Sequence, residues 1–393
     1  LSPEALGLFG QVKQLFDPKN LLNPGVLVDP VPVEADIRVA ATINSPLRLE
    51  DPDFVTAVHQ CTGVGKCLAD STAGGGVMCP SFQATRDEKD STRGRARVLQ
   101  EMVNGSLVSQ GWRSPEVHEA LDLCLSCKGC SSDCPTGIDM PSYKSRVLFE
   151  SYQGRLRPLS HYALGWLPRW GRLVTRLPGV GAVANLGTQM PGLKHLVRLA
   201  AGVDQRRPMP EFRVDGSARA QFKDRAATIP STPMSSTPGG TPAEAQHADE
   251  TAPSPYEHPE EQSPETKDGA RAGATAGKDC VIWVDSFTDA FVGNQLAGLV
   301  QTLVRAGFEP RVLQETACCG LTWITTGQLD GARRQLRGAL DVLHPIVAAG
   351  IPVVGLEPSC LAVWRSDAKE LLHDDPRVEE VARGVHTLAE LLL

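Results

Sequence analysis

The chain has 393 residues, with 39 Lys+Arg against 46 Asp+Glu for a formal charge of −7; it is 41% apolar and 22% charged. That balance excludes a general polyanion binder, and the length allows two or three domains of roughly 100–200 residues with ample chain to bury a core. No run reaches the roughly 18 uncharged apolar residues of a membrane span; the nearest, Ile346 to Leu356, reads as a buried helix end followed by a strand.

Residues 1–46 open with Ser2 as a helix N-cap, Pro3 at the first helical position and Glu4 in the first turn. Leu6, Leu8, Phe9, Val12 and Phe16 form one apolar face, and Phe16 to Gly25 is a turn-rich exit. The chain starts at Leu1, inside this helical pattern and with no initiator Met or secretory pattern, so a fragment of a longer polypeptide is expected. Residues 50–150 hold the cysteine motifs and read as mostly helical. Residues 151–215 form a helical basic extension, broken at Pro168, Pro178 and Pro191. Residues 141–223 carry 14 basic and 4 acidic side chains, a local +10. This reads either as a membrane-surface or partner-docking element, or as helices packed on the cysteine-rich domain with a solvated basic face.

Residues 216–279 are rich in Pro, Ser, Thr, Ala, Gly and Glu and nearly free of large apolar side chains, so a disordered linker is expected there. Residues 280–393 alternate strand and helix: strands at Val281–Val284, Arg311–Leu313 and Pro352–Leu356, helices at Phe291–Ala306 and Leu329–Ala348, and helical patterns from Leu361 and Val378. This predicts a βαβαβ unit of a parallel α/β sheet, ending at Leu393 within a helix.

Seven of the 11 cysteines fall between Cys61 and Cys134, in a chain too long for a disulfide scaffold. Cys124-x2-Cys127-x2-Cys130-x3-Cys134-Pro135 is the sharpest signal. Three thiolates at this spacing wrap one corner of a cubane, while the Cys before Pro ligates the other cluster of a two-cluster ferredoxin. Zinc instead favours two separated pairs. An altered copy lies upstream: Cys61-x5-Cys67 with Val64 at the second position, then Cys79-Pro80 after an insertion containing Gly74-Gly75-Gly76. Crossing the last cysteines assigns Cys124, Cys127, Cys130 and Cys79 to a 4Fe–4S cluster and Cys61, Cys67 and Cys134 to a second. With three thiolates the second is 3Fe–4S, or 4Fe–4S with water or a side chain such as His59 on the fourth iron, or empty. Arg93, Arg95 and Arg97 follow a Ser91/Thr92 cap; they form a solvated basic face, or neutralise anionic clusters or dock another domain.

Several segments carry family resemblances. The Phe16–Gly25 segment resembles the C-terminus of FAD-linked oxidases of the vanillyl-alcohol-oxidase kind, which implies that Asn23 lies at a flavin-domain edge. The C-x5-C pattern resembles the 3Fe–4S site of succinate dehydrogenase iron–sulfur subunits. Cys61-Thr62-Gly63-Val64-Gly65-Lys66-Cys67, Met78-Cys79-Pro80-Ser81-Phe82, Asp90-Ser91-Thr92-Arg93-Gly94-Arg95-Ala96 and Cys124-Leu125-Ser126-Cys127-Lys128, in this order, resemble the large bacterial FAD-linked oxidases of the D-lactate / D-2-hydroxyglutarate dehydrogenase type. The glycolate oxidase iron–sulfur subunit is a more distant relative.

The resemblance implies a multidomain chain: residues 1–46 as the tail of the FAD domain, 50–150 as an α-helical dicluster ferredoxin domain, 151–215 as a basic extension, 216–279 as a disordered linker and 280–393 as a truncated α/β CCG (cysteine-rich) domain. Cys318-Cys319-Gly320 and Glu357-Pro358-Ser359-Cys360 resemble CCG motifs of heterodisulfide reductase relatives. Cys318, Cys319 and Cys360 are thus candidates for a further cluster or a thiol-lined pocket, although Val363 stands where a CxxC partner belongs; Cys280 is expected to pack.

Implied cofactors are a 4Fe–4S cluster, a second iron–sulfur cluster and FAD on an upstream domain of the same or another polypeptide. Implied acceptors are a quinone, a cytochrome or an electron-transfer protein. No catalytic residue is expected in this chain and no nucleic-acid partner. A cytoplasmic location follows, with peripheral contact at the inner face of the membrane and homo-oligomerisation both open. The competing class is a non-catalytic iron–sulfur or thiol redox-sensing or scaffold protein.

Overall fold

The structure, a computed structural model, describes residues 2–26, 28–30, 32, 52–70, 75–105, 107–108, 110–177, 179–227 and 278–393. The expected linker between residues 228 and 277, the stretch 33–51, Gly74 and Pro178 lie outside the described residues. The chain divides into two units, Leu1–Val147 and Leu148–Leu393.

The first unit is helical, with α1 (Pro3–Phe16), α2 (Pro52–His59), α3 (Pro80–Thr85), α4 (Thr92–Asn104), α5 (Pro115–Asp122), α6 (Gly129–Asp133) and the larger part of α7 (Met140–Ser151). Ser2 caps α1 through its hydroxyl, which accepts from the Ala5 N–H at 3.3 Å. The helix ends where Asp17 accepts from the Leu21 and Leu22 N–H groups and pairs with Lys13 at 2.7 Å. None of its apolar residues is buried, and the Leu6, Leu8, Phe9, Val12 and Phe16 face stands exposed. The core of the unit gathers around Val58, Leu99, Met102, Val117, Ile138 and Val147. Ser91 caps α4, accepting from the Gly94 N–H at 2.9 Å. Position 94 must be glycine, because a Cβ there would stand 2.0 Å from the Glu88 carbonyl oxygen.

The second unit opens with α8 (Leu159–Ala163), α9 (Leu167–Arg176), α10 (Val180–Gln189) and α11 (Leu193–Ala201), then a 3-10 turn at Arg219–Arg225. The α/β part follows as β1 (Lys278–Trp283), α12 (Ser286–Ala290), α13 (Asn294–Arg305), β2 (Phe308–Val312), α14 (Leu321–Thr325), α15 (Leu329–Ala348), β3 (Val353–Gly355), α16 (Pro358–Arg365), α17 (Asp367–Leu371), α18 (Arg377–Gly384), β4 (Val385–His386) and α19 (Leu388–Leu392). All strand pairs are parallel, in the order β2-β1-β3-β4. Side chains alternate across β1: Val281 and Trp283 enter one core with Trp323, Leu340 and Trp364, while Cys280 and Ile282 enter another with Leu296 and Leu303. Burial on both faces is what a sheet covered by helices on each side requires.

The expected sheet is therefore present, with corrections. β4 escaped the sequence pattern because it is two residues long. The helix expected from Phe291 begins at Asn294, after α12 has ended. The helix expected from Leu361 begins at Pro358, because Glu357 caps it by accepting from the Ser359 N–H and hydroxyl. The linker boundaries move inward. Residues 216–227 are folded, with Arg219 buried, and residues 278–279 already belong to β1. Scarcity of large apolar groups misled there, because polar bonds hold this segment: Arg219 pairs with Asp289 at 3.0 Å and donates to the Gln314, Glu315 and Val284 carbonyls. The basic extension packs within the α/β unit, α9 against α12. No helix of the described residues is long and apolar enough to cross a membrane.

Candidate metal centres

Cys124, Cys127 and Cys130 lie on one loop that runs into α6. Ser126 and Lys128, between the cysteines, adopt left-handed backbone with φ of 55° and 61°. These two residues coil the loop, so that three thiols are presented from seven residues. Cys130 is buried, Cys124 half-buried and Cys127 exposed. Burial pushes the Cys130 thiol up to about 12, against the opposing pull of the Met140 N–H. It raises Cys124 too, partly offset by the Ser126 N–H and by the charges of Arg95 and Lys144.

Cys79 comes from a segment distant in sequence, and Asp133 ties that segment to α6. Its carboxylate accepts from the Val77 N–H at 2.7 Å and the Met78 N–H at 3.0 Å, which hold it below the ordinary carboxylate range. As thiolates, Cys79 would be within electrostatic reach of Cys124 and of Cys67 alike, and Cys130 within reach of Cys124 and Cys127. Behind Cys79 lies Arg95, whose guanidinium donates to the Cys79 sulfur at 3.5 Å, the Ser81 hydroxyl at 2.9 Å and the Ala120 carbonyl at 2.8 Å. Burial pushes the Cys79 thiol up, but the Ser81 and Thr92 hydroxyls and the Arg95 charge together bring it below the ordinary thiol value. Of the three arginines, Arg95 is buried and so departs from the solvated-face reading.

Cys61, Cys67 and Cys134 line one cavity, together with Val64, Arg93 and Thr136. The loop between Cys61 and Cys67 turns at Gly63 and Gly65, with φ of 83° and 79°, a conformation that favours glycine. Cys67 accepts from the Arg93 N–H at 3.3 Å; burial raises its thiol against that bond. Cys134 is lowered: burial is outweighed by the Thr136 hydroxyl and the Ile138, Thr136 and Gly137 N–H groups. His59 does not line this cavity, and its Nδ1 donates to the Val55 carbonyl at 2.7 Å.

The two groups fit iron–sulfur clusters in donor chemistry. Every side chain brought together is a soft thiol, and backbone N–H groups or a buried guanidinium face the sulfurs. Among the described residues no three His, Cys, Asp or Glu side chains close around a single metal ion.

A third group stands at the carboxyl ends of the parallel strands. Cys318 and Cys319 follow β2, Cys360 follows β3, and all three line a cavity of about 290 Å³ with Asp285, Glu357 and Trp283. The Cys319 thiol donates to the Cys360 sulfur at 3.1 Å. Burial pushes Cys318 up to about 11, opposed by the Gly320 N–H, the Ser286 hydroxyl and the Arg172 charge. Cys360 is raised by the hydrogen bond with Cys319 and by burial. Cys280 packs in the core, as expected. Sequence reasoning missed Asp133, which no spacing signals because it acts across a fold contact, and Asp285, which caps α12 by accepting from the Phe287 and Thr288 N–H groups beside this cavity. Asn23 adopts left-handed backbone at φ 44° in the exposed turn after α1.

A family model described as a 4Fe–4S dicluster domain matches residues 57–138. The chain is 23% identical to the D-2-hydroxyglutarate dehydrogenase of Pantoea ananatis over 92% of its own length and 35% of that protein's. It is 31% identical to the D-2-hydroxyglutarate dehydrogenase of Pseudomonas putida over 43% of this chain and 20% of that one. It is 32% identical to the glycolate oxidase iron–sulfur subunit of Escherichia coli over 21% of this chain and 17% of that one. The chain thus spans about a third of the length of the first of these curated relatives. No solved structure matches it. The resemblance read from the motifs holds: the chain carries a 4Fe–4S dicluster domain and is related along nearly its whole length to D-2-hydroxy-acid oxidoreductases.

Proposed function

We propose that this chain is the electron-transfer part of an FAD-linked D-2-hydroxy-acid dehydrogenase, with D-2-hydroxyglutarate as the first candidate substrate and D-lactate and glycolate as the others. The observation that supports the reading is the dicluster match spanning seven cysteines, with Cys61, Cys67 and Cys134 lining one cavity and Cys124, Cys127 and Cys130 on one loop. Cys79, Cys124, Cys127 and Cys130 would hold a 4Fe–4S cluster. Cys61, Cys67 and Cys134 would hold a second, as 3Fe–4S or 4Fe–4S. When bound, such clusters supply one-electron transfer at potentials set by cluster type, charge and hydrogen bonds to sulfur.

The residues of this chain position and tune. Asp133 holds the Cys79 segment against α6, Arg95 supplies positive charge behind Cys79, and the Arg93 N–H faces Cys67. Hydride removal belongs to FAD on a domain outside this sequence, beside the turn that carries Asn23. The acceptor is a quinone, a cytochrome or an electron-transfer protein, reached from the cytoplasm or the inner membrane face.

The test joins this chain to its FAD partner under anaerobic conditions. Addition of D-2-hydroxyglutarate should bleach the cluster absorbance and produce reduced-cluster EPR signals. Full flavin reduction with the clusters left oxidised would overturn the reading. The 3.1 Å approach of Cys319 to Cys360 favours a second reading, a thiol redox-sensing or scaffold protein; it predicts that oxidants change those thiols while the hydroxy acid leaves the clusters untouched.

A further inference from the structure

Beside α9 in the second unit lies a cavity of about 460 Å³ that no cysteine lines, bordered by Arg169, Arg172, Arg176, Ser217, Arg219 and Asp289 among others. We propose that it is a binding site for a small organic or inorganic polyanion carrying at least two carboxylate or phosphate groups, with Arg169, Arg172 and Arg176 as its ligands.

The argument begins with spacing. The three arginines stand three and then four residues apart, which puts them on one face of α9. Like charges so placed repel and weaken an isolated helix. Ordinary helices relieve this with interleaved acids, but α9 has none; its sequence is Leu-Pro-Arg-Trp-Gly-Arg-Leu-Val-Thr-Arg. Among the described residues no carboxylate pairs with Arg169, Arg172 or Arg176.

The floor of the cavity is a buried ion pair. Arg219 and Asp289 are each more than nine-tenths buried and pair at 3.0 Å, and the remaining Arg219 N–H groups go to backbone carbonyls. Asp289 is thereby spent on Arg219, so the cavity keeps the three charges of α9 uncompensated. Two of those arginines are also held in place. The Arg169 guanidinium lies over the Trp166 and Trp323 rings at 5.1 and 5.2 Å, and Arg172 Nε donates to the Pro168 carbonyl at 3.3 Å. The Arg172 contact leaves its other N–H donors free for a ligand, and Arg169, stacked on rings that line an adjoining cavity, borders the site. Planar guanidinium forks match carboxylate and phosphate geometry, and donors fixed in advance lose less entropy on binding. The volume suits a small organic molecule rather than a lone chloride.

The experiment uses the full chain, titrated calorimetrically with pyrophosphate in one arm and citrate in the other. Binding of either, weakening as salt is raised, supports the site, and the stronger arm separates a phosphate from a carboxylate ligand. Arg172→Gln and Arg176→Gln should each lower affinity roughly tenfold or more, the loss of a charged hydrogen bond. Arg155→Gln, an exposed arginine outside the cavity, should leave it unchanged. A second measurement needs no variant: the bound anion should protect Arg172 and Arg176 from phenylglyoxal, read by peptide mass spectrometry. Absence of binding by both anions, or binding with neither protection nor sensitivity to the two substitutions, overturns the proposal. So would arginine-dependent capture by anionic lipid vesicles in a chain that binds neither soluble anion, since the ligand would then be a membrane surface.

Discussion

The Arg95 guanidinium donates to the Cys79 sulfur from a position where only 1% of the arginine is exposed. A buried cation is costly unless its N–H groups are used, and here they reach Cys79, Ser81 and Ala120. Arg95→Met keeps much of the shape and removes the charge and all three bonds. Ser81 and the Ala120 carbonyl then lose a buried partner, for an expected loss of about 2–3 kcal/mol in chemical denaturation. The Cys79 thiol should titrate higher than in the parent, measurable by its alkylation rate in the metal-free protein. Cluster content per chain after reconstitution should fall as well, whereas Arg97→Met, at an exposed site, should leave it intact.

Val64 lines the same cavity as Cys61, Cys67 and Cys134, and its side chain is exposed. It stands between two glycines whose left-handed backbone turns the loop around it. A thiol at position 64 would meet the same cavity without displacing core. Val64→Cys should therefore shift the upstream centre toward 4Fe–4S, seen as loss of an oxidised three-iron EPR signal and a gain of about one iron per chain. Gly63→Ala is the complementary variant: a methyl at φ 83° is strained and should lower incorporation at this centre alone. An unchanged spectrum in Val64→Cys together with indifference to Cys61→Ser would mean that the upstream group holds no cluster.

Patterns of local origin were the ones readable from the chain. The period of Leu329–Ala348 predicts α15 to the residue, and the Cys124–Cys130 spacing predicts one loop that carries three thiols. Features created by distant contacts were not readable. Arg95 looks like any arginine of a basic helix start, and only the approach of Ser81 and Ala120 makes it a buried charge. Residues 216–227 have a linker's composition, yet one arginine anchors them through Asp289 and three carbonyls. The convergence of Cys319 and Cys360 depends on β2 and β3 ending at the same edge of the sheet on either side of β1, which motif spacing does not encode.

Asp17 gives a pH prediction at the exit from α1. Its carboxylate is held at about 2 by Lys13 and by the Leu21 and Leu22 N–H groups. A folded-state value below the unfolded one, near 3.9, makes the turn's contribution complete above the unfolded value. It is lost as pH falls from about 4 toward 2. Carboxyl chemical shifts should show Asp17 still ionised at pH 3, and Asp17→Asn should remove that titration. The turn lies outside the hydrophobic core, so global stability should barely move; a normal titration near 4 would show that the turn is not formed in solution.

Cys319 and Cys360 stand 3.1 Å apart, sulfur to sulfur, in a cavity that opens at the strand ends. Both are buried, and Cys360 is raised well above the ordinary thiol value, so its thiol is protonated at rest and slow to react. Given a small disulfide such as oxidised glutathione, one thiolate would attack it and release one reduced molecule. The second thiol would then displace the other and close the bond between Cys319 and Cys360. Because the attacking species is the thiolate, the rate should rise with pH through the alkaline range. Peptide mapping after oxidation should recover a linked 319–360 pair that dithiothreitol reverses. Cys318→Ser should still form it, while Cys319→Ser or Cys360→Ser should stop at a mixed disulfide. Recovery of a 318–319 link instead would assign the reactive pair to the adjacent cysteines, and iron retained in this cavity after removal of the seven upstream thiols would assign the site to a cluster.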